Sequence, residues 1–129
     1  MITRQKKVLI FEDFDSISNV LINALQKRDL EIKVAKTLNQ AREELNGVSL
    51  DLVIVDLDLK DKVAQQLVMK LRELSAYLYT PIVALLTGNK DQYTEELEEY
   101  KIACYLSKPF DIIHFNSVLD RLIGIRQIQ

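Results

Sequence analysis

The sequence contains few of the residues and segments that mark secreted, disulfide-linked or membrane-spanning proteins. It has one cysteine, Cys104, among 129 residues, which excludes an internal disulfide framework and is typical of a reducing compartment. No stretch approaches the roughly 18 apolar residues of a membrane span. The apolar run at 8–11 is also shorter than a signal-peptide core of ~7–15 residues. We therefore expect a cytoplasmic protein.

Strong charge of either sign is also missing. Lysine and arginine number 17 against 19 aspartate and glutamate residues, so the formal net charge is only −2. This balance argues against a protein that coats nucleic acid, which would be strongly basic. A hydrophobic fraction of 48% supplies enough apolar material for a core, and no repeat, low-complexity tract or linker divides the chain. We expect a single domain over 1–129, with its core at about 6–125.

Short apolar runs alternate with segments of helical periodicity along the chain. Strands are predicted at 6–11, 31–35, 51–56, 82–86 and 102–106, and helices at 15–28, 38–45, 63–77, 91–100 and 111–125. Asp15 or Ser16 is a candidate N-cap of the first helix, and Thr37 or Asn39 of the second. Uninterrupted apolar strands suit a parallel sheet that is buried on both faces by helices. The predicted class is therefore α/β, doubly wound, with five strands.

Polar residues stand at the ends of four predicted strands. Glu12 and Asp13 come after the first strand, Asp56 ends the third, and Thr87 and Lys108 follow the fourth and fifth. Each alone has an ordinary explanation as a helix cap, a loop residue or a surface side chain. Because ligands of such sheets bind beyond the carboxyl ends of the strands, we expect all five residues to meet at one edge. Their convergence is what indicates a site.

The residue types at this edge indicate phosphoryl chemistry on a carboxylate. Three carboxylates brought together resist ionising unless a cation joins them. Mg²⁺ suits such a place because it prefers one or two carboxylates with water and phosphate oxygens. Asp56 is the best candidate nucleophile, since carboxylates form acyl phosphates and an apolar strand fixes its position. Phosphoryl transfer depends mainly on positioning and charge neutralisation, for which Thr87 would supply a hydrogen bond and Lys108 a positive charge.

Taken together, these residues resemble the receiver domain of two-component response regulators over about 6–125. The matching pieces are the pair Glu12-Asp13, Asp56 within DLVIVDLDL, Thr87 after IVALL, and Lys108 within YLSKPFD. The resemblance implies a flavodoxin-like fold with five helices and a five-stranded parallel sheet in the order 2-1-3-4-5. It also implies a signalling phosphoprotein of a phosphorelay rather than an enzyme, one that catalyses only its own phosphorylation and dephosphorylation.

The resemblance also implies a role for each acid at the edge. Asp56 would be the phosphoacceptor, carrying an aspartyl phosphate. Asp13 and Asp56 would bind Mg²⁺ directly, Glu12 would act through a water molecule, and Asp58 would contribute its backbone carbonyl.

Further implications concern switching and partners. Thr87 and Lys108 would contact the phosphoryl group, and Tyr105 would be the aromatic switch that turns inward when Thr87 moves. The donor would be a histidine kinase or a histidine phosphotransfer protein. The output would be a changed surface around the fourth helix, fifth strand and fifth helix, acting on a downstream protein or an attached output domain, with no direct contact to nucleic acid or membrane. Homodimerisation through that face is a hypothesis, and the sequence leaves open whether the receiver stands alone.

Several positions depart from the family pattern. The loop after the phosphoacceptor usually contains a proline and a glycine where this sequence has Lys60 and Ala64, and Lys101 stands where a glycine is common. Asp58 adds a negative side chain, which would slow anionic donors or strengthen metal binding. Cys104 is expected to be a small core residue, and the single histidine, His114, is expected to be structural or at the surface.

Two other functions are compatible with parts of the sequence. A pseudo-receiver, which keeps the fold as a protein-interaction module without phosphorylation, is suggested by the altered loop. A haloacid-dehalogenase-like phosphatase is suggested by Asp56-Leu57-Asp58, although that signature normally follows the first strand of a longer chain and leaves Glu12-Asp13 unexplained. A flavodoxin-like cofactor binder fits less well, because no glycine- or serine-rich phosphate loop follows the first strand.

Overall fold

A computed structural model describes residues 5–88 and 90–124. Within them, five strands and five α-helices alternate along the chain, and the predicted fold class is confirmed. The elements are β1 (Lys6–Phe11), α1 (Asp15–Leu25), β2 (Leu30–Ala35), α2 (Leu38–Glu43), β3 (Leu52–Asp56), α3 (Val63–Glu73), β4 (Ile82–Thr87), α4 (Thr94–Glu99), β5 (Cys104–Lys108) and α5 (Ile112–Ile123). In this described part, no helix has the length and apolarity needed to cross a membrane.

The five strands form one parallel sheet in the order β2-β1-β3-β4-β5. Successive side chains of a strand point to opposite faces, so the apolar runs of β1 and β3 feed two cores. Leu9 and Val53 pack in the core that includes α2 and α3, whereas Ile10 and Ile54 pack in the core that includes α1 and α5. Burial on both faces explains why these strands contain no polar alternation.

The last strand lies two residues later than the sequence predicted. The prediction of 102–106 is wrong because apolar character was used to place the strand, whereas hydrogen bonding with β4 defines it. Lys101 adopts a left-handed backbone with a φ of 53°, so the chain turns before Cys104. The pairing with β4 then continues until Thr87 faces Lys108. Thr87 and Lys108 are therefore the last residues of their strands rather than loop residues.

Four helices, α1 to α4, are shorter than predicted. The first ends at Leu25, three residues early, and its N-cap is Phe14, whose side chain makes no capping hydrogen bond. Neither Asp15 nor Ser16 is the cap, because both already lie in the first helical turn. In the second helix the cap is Thr37, whose Oγ1 accepts a hydrogen bond from the Gln40 amide at 3.1 Å.

Two further helix boundaries differ from the prediction because a 3₁₀ turn replaces part of the expected α-helix. The predicted helix 63–77 ends at Glu73 and is followed by a 3₁₀ turn, Ser75–Tyr77. The predicted helix 91–100 divides into a 3₁₀ turn, Lys90–Tyr93, and the short helix α4. The last helix starts at Ile112 with Asp111 as its N-cap, and its predicted end at residue 125 lies outside the described residues.

Candidate functional site

The carboxyl edge of the sheet holds residues from four adjacent strands. Asp56 ends β3, Thr87 ends β4 and Lys108 ends β5, while Glu12 directly follows β1. Because β4 lies between β3 and β5, the backbones of β3 and β5 are separated by two strand spacings of about 4.8 Å each. The long lysine side chain crosses this gap, and its Nζ lies 2.8 Å from Oδ2 of Asp56. Residues 52 positions apart in sequence are thus in direct contact.

Asp56 is a buried carboxylate with both oxygens engaged. Only 4% of the residue is exposed, consistent with its place at the end of a fully buried strand. Its Oδ1 accepts a hydrogen bond from the backbone amide of Asp58 at 2.8 Å, and its Oδ2 receives the Lys108 ammonium. Charge-assisted hydrogen bonds of this kind hold a side chain in one orientation. The carboxylate is therefore fixed at the mouth of the site rather than free to rotate.

Lys108 bridges two carboxylates. Its Nζ lies 2.8 Å from Asp56 Oδ2 and 3.1 Å from Asp58 Oδ2. Burial acts to lower the pKa of this lysine, but the two carboxylates prevail and raise it above its usual value. The group is therefore a permanent cation at neutral pH, able to compensate one negative charge at the edge.

Glu12 is buried next to Asp56 and is incompletely satisfied. None of its surface is exposed, and its Oε1 accepts a hydrogen bond from the Phe14 amide at 3.1 Å. Within the described residues its Oε2 has no hydrogen-bond partner. Burial raises the pKa of Glu12 to about 8, and the neighbouring Asp56 carboxylate adds to the rise. An unsatisfied buried carboxyl oxygen beside a second carboxylate is a place where a hard divalent cation fits.

The third predicted acid, Asp13, is exposed and lies two residues beyond the end of β1. Among residues 5–88 and 90–124, no three His, Cys, Asp or Glu side chains are grouped closely enough to hold a metal ion in this conformation. Two of the three predicted carboxylates, Glu12 and Asp56, are neighbours. The full ligand set of Glu12, Asp13, Asp56 and the Asp58 carbonyl stays a prediction.

Asp58 has more partners than the sequence indicated. Its Oδ2 accepts a hydrogen bond from the Thr87 hydroxyl at 2.7 Å and lies 3.1 Å from Lys108 Nζ. Its Oδ1 accepts a hydrogen bond from the Tyr93 hydroxyl at 2.8 Å. Burial acts to raise the pKa of Asp58, but the hydrogen bonds from Thr87, Tyr93 and Lys108 hold it below its usual value. Burial raises the pKa of Tyr93 to about 12, and the hydrogen bond from its hydroxyl to Asp58 adds to the rise.

Tyr93 is the site residue that sequence reasoning missed. It is partly buried in the 3₁₀ turn before α4, 35 residues from Asp58. The sequence places it inside an acidic, helix-like segment, where a tyrosine has many ordinary explanations. The contact between Tyr93 and Asp58 forms only because this turn lies close to the end of β3 in the folded chain. No local sequence pattern would have identified Tyr93 as a site residue.

Tyr105 lies on β5, which is an edge strand of the sheet. It is 36% exposed, and the Lys90 ammonium lies 5.6 Å from the centre of its ring, a cation–π contact. Lys90 belongs to the same 3₁₀ turn as Tyr93. The predicted switch role of Tyr105 stays a prediction. Cys104 is only partly buried, at the border of the core that includes α5, and His114 is exposed.

The raised pKa of Glu12 predicts a pH-dependent stability. Between pH 4.5 and about 8, the folded protein keeps a proton on Glu12 that the unfolded chain has lost. The free energy of unfolding should therefore fall as pH rises, by up to about 1.4 kcal/mol per pH unit from this group, and level off above pH 8. Urea unfolding followed by circular dichroism, without divalent cations, would measure this slope. In Glu12→Gln, which is neutral at every pH, this part of the slope should vanish; identical slopes would contradict the prediction.

A family model and two groups of known proteins are similar to this chain. The model described as the response regulator receiver domain matches residues 8–120. The KDP operon transcriptional regulatory protein KdpE of Escherichia coli is 31% identical over 105 residues, which is 81% of this chain and 45% of that protein. The transcriptional regulatory protein KdpE of Staphylococcus aureus is 26% identical over 95% of this chain and 53% of its own length. The chain thus spans about half the length of these relatives.

Solved structures show the same architecture. Chemotaxis protein CheY4 of Vibrio cholerae superposes with a TM-score of 0.82 at 25% identity, covering 93% of this chain and 100% of that one. The receiver domain of sensor histidine kinase PA1611 from Pseudomonas aeruginosa superposes with a TM-score of 0.78 at 23% identity, covering 94% and 99%. That structure has a magnesium ion coordinated in its active site cleft.

Proposed function

Because the chain belongs to the response regulator receiver domain family of two-component systems, we propose that it accepts a phosphoryl group on Asp56. The observation that carries the proposal is the contact between the buried Asp56 carboxylate and Lys108, whose Nζ crosses from β5 to within 2.8 Å. A buried carboxylate that is fixed in orientation and paired with a cation has what a phosphoacceptor needs. Few other roles explain why four strands deliver such groups to one point.

The transfer itself requires little covalent chemistry from the protein. A carboxylate oxygen of Asp56 attacks the phosphorus, and the bond between phosphorus and the leaving group breaks. The electron pair of that bond leaves with the imidazole nitrogen of a donor histidine or with the acetate of acetyl phosphate. The Lys108 ammonium and the Thr87 hydroxyl then donate hydrogen bonds to phosphoryl oxygens in place of their present carboxylate partners. Attack of water on the phosphorus then breaks the bond to the Asp56 oxygen, which releases inorganic phosphate and returns Asp56 to the free carboxylate.

The carboxylates at the edge are of the chemical type that holds a divalent cation. Glu12, Asp13, Asp56 and the Asp58 backbone carbonyl would hold Mg²⁺, and the unsatisfied Oε2 of Glu12 supports this assignment. When bound, the ion would neutralise charge on the transferring phosphoryl oxygens. A cation would also remove the cost of ionising Glu12 beside Asp56. The magnesium in the P. aeruginosa receiver domain is consistent with this proposal.

The face formed by α4, β5 and α5 is proposed as the output surface. An open groove of about 530 Å³ lies there, lined by side chains that include Leu97, Tyr105 and Phe110. Nearby, Ile113 is 79% exposed. Exposed apolar groups of this kind are typical of protein–protein contacts. We propose a protein partner at this face, which can be a downstream target, an attached output domain or a second copy, with a histidine kinase or phosphotransfer protein as the phosphoryl donor. Gel filtration with and without beryllofluoride tests whether the partner is a second copy of this chain, because only dimerisation would make the protein elute earlier.

Intact-protein mass spectrometry after incubation with acetyl phosphate tests the proposed function. We expect the wild-type protein to gain one phosphoryl group with Mg²⁺ and none without it. Absence of any gain, together with absence of beryllofluoride binding in the presence of Mg²⁺, would contradict the proposal.

The alternative is a pseudo-receiver that is not regulated by phosphorylation. Two observations favour it. The Asp58 carboxylate already takes the hydrogen bonds of the Thr87 hydroxyl and the Lys108 ammonium. The loop after β3 also has two consecutive residues with left-handed backbone angles, Asp61 and Lys62. A titration with Mg²⁺ and beryllofluoride discriminates, because a pseudo-receiver would bind neither. A phosphatase function has no such support, since Asp56-Leu57-Asp58 begins at the last residue of β3, the third strand, rather than after a first strand.

A further inference from the structure

Asp58 holds three hydrogen-bond donors that come from three different elements. The donors are the Thr87 hydroxyl at 2.7 Å, the Tyr93 hydroxyl at 2.8 Å and the Lys108 ammonium at 3.1 Å. Thr87 and Lys108 approach Oδ2, while Tyr93 approaches Oδ1, so both carboxylate oxygens are engaged. The side chain is 26% exposed. An ordinary loop aspartate would be hydrated instead of being held on both oxygens.

Two of these three donors, Thr87 and Lys108, are the groups that are proposed to donate hydrogen bonds to the phosphoryl group on Asp56. A carboxylate and a phosphoryl group are both anions with oxygen acceptors, so they compete for the same hydroxyl and the same ammonium. Asp58 also lies beside the acceptor carboxylate, because its own amide donates to Asp56 Oδ1. A phosphoryl group arriving on Asp56 would therefore meet both a filled donor set and a like charge.

We propose that Asp58 is an internal anionic latch, which occupies the Thr87 and Lys108 hydrogen bonds in the unphosphorylated protein and is held there by Tyr93. The proposal rests on the proposed function, and it adds a positioning residue, Tyr93, that does not touch the acceptor. Phosphorylation takes two donors from Asp58 and places negative charge beside it, so the carboxylate must turn away. The contact with Tyr93 then breaks or moves with it.

The latch connects the site to the start of α4. Tyr93 lies in the 3₁₀ turn Lys90–Tyr93 and packs partly against the core, while Lys90 of the same turn lies over the Tyr105 ring. The turn therefore contacts the loop after β3 through the hydrogen bond from Tyr93 to Asp58, and it contacts β5 through the cation–π contact of Lys90 with Tyr105. When Asp58 turns away, the first of these two contacts is lost. The output face then responds through the turn itself, without requiring a change in the sheet.

Tyr93→Phe tests the latch without altering any residue that is proposed to contact the phosphoryl group or the metal ion. The change removes one hydroxyl and keeps the ring that packs against the core. In the presence of Mg²⁺, we expect beryllofluoride to bind about three- to tenfold more tightly, as one lost hydrogen bond to the competing carboxylate predicts. Isothermal titration calorimetry gives the affinity. The matched control is Tyr79→Phe, at a tyrosine that is 85% exposed and precedes β4, whose other end carries Thr87; its affinity should equal that of the wild type.

A double-mutant cycle shows whether Tyr93 acts through Asp58. Asp58→Ala alone should tighten binding more than Tyr93→Phe, because it removes the competing anion itself. In the Asp58→Ala background, Tyr93→Phe should have no further effect. Additive effects would mean that Tyr93 acts by another route and would overturn the latch.

The outcomes separate the latch from the function on which it rests. If the wild type binds beryllofluoride and Tyr93→Phe binds it equally, the latch is wrong and the receiver function stands. If neither the wild type nor any of these variants binds it, the proposed function fails and the latch with it. Binding by Tyr93→Phe or Asp58→Ala but not by the wild type would support the occupation of Thr87 and Lys108 by Asp58, and it would contradict the proposed function of the wild-type chain.

Discussion

Asp56→Asn is expected to abolish Mg²⁺-dependent phosphorylation while leaving the fold intact. The amide nitrogen or oxygen of asparagine is a far weaker nucleophile than a carboxylate, and it forms no stable acyl phosphate. The change is nearly isosteric, and the asparagine oxygen can still accept from Lys108 or from the Asp58 amide. The far-ultraviolet circular dichroism spectrum should therefore match that of the wild type. Intact-protein mass spectrometry after incubation with acetyl phosphate and Mg²⁺ should show no added phosphoryl group.

A matched control exists at the other end of the same strand. Asp51 precedes β3 and accepts a hydrogen bond from the Lys7 amide at 2.8 Å, far from the carboxyl edge. Asp51→Asn makes the same chemical change and should leave phosphorylation at the wild-type level. Acid-labile phosphate that persisted on Asp56→Asn would instead identify Asp58 or Asp13 as the acceptor.

Lys108→Ala is expected to slow phosphorylation by about 100- to 1,000-fold. This is the usual range when one preorganised donor to a developing anion is removed. The ammonium lies 2.8 Å from Asp56 and 3.1 Å from Asp58, so its loss leaves two carboxylates without their shared cation. Mg²⁺ binding should persist, because the proposed ligands are other residues, and the stronger negative charge at the edge attracts the ion. The rate of phosphoryl gain from acetyl phosphate, measured by mass spectrometry over time, checks the effect.

The control for this variant is Lys33→Ala. Lys33 lies on the edge strand β2 with its side chain 47% exposed, and its Nζ lies 4.0 Å from Oε1 of Glu31. Removing an exposed lysine changes the net charge by the same amount without touching the site. Phosphorylation of Lys33→Ala should match the wild type. If Lys108→Ala also matched it, charge compensation by the lysine would not be needed, and the role proposed for the 2.8 Å contact would have to be abandoned.

The positions of the site residues could be predicted well from the sequence, but their contacts could not. Glu12 and Asp56 follow apolar strands, and the rule that parallel strands share a carboxyl edge was enough to place them together. The contacts of Asp58 depend on the loop after β3, where Asp61 and Lys62 both adopt left-handed backbone angles. Such angles are usually signalled by glycine, and this loop has none. The direction in which the chain carries Asp58 was therefore hidden from sequence reasoning.

The sequence by itself determined the parallel α/β architecture and the edge at which polar residues gather, because burial on both faces forces continuous apolar strands that end where polarity begins. It also determined that the chain resembles receiver domains. Only the tertiary structure decided that β5 extends to Lys108, because strand ends depend on hydrogen bonds to β4 rather than on apolar character. It also decided that Tyr93 meets Asp58 across 35 residues, because that contact depends on how two loops approach each other, and neither loop alone contains that information.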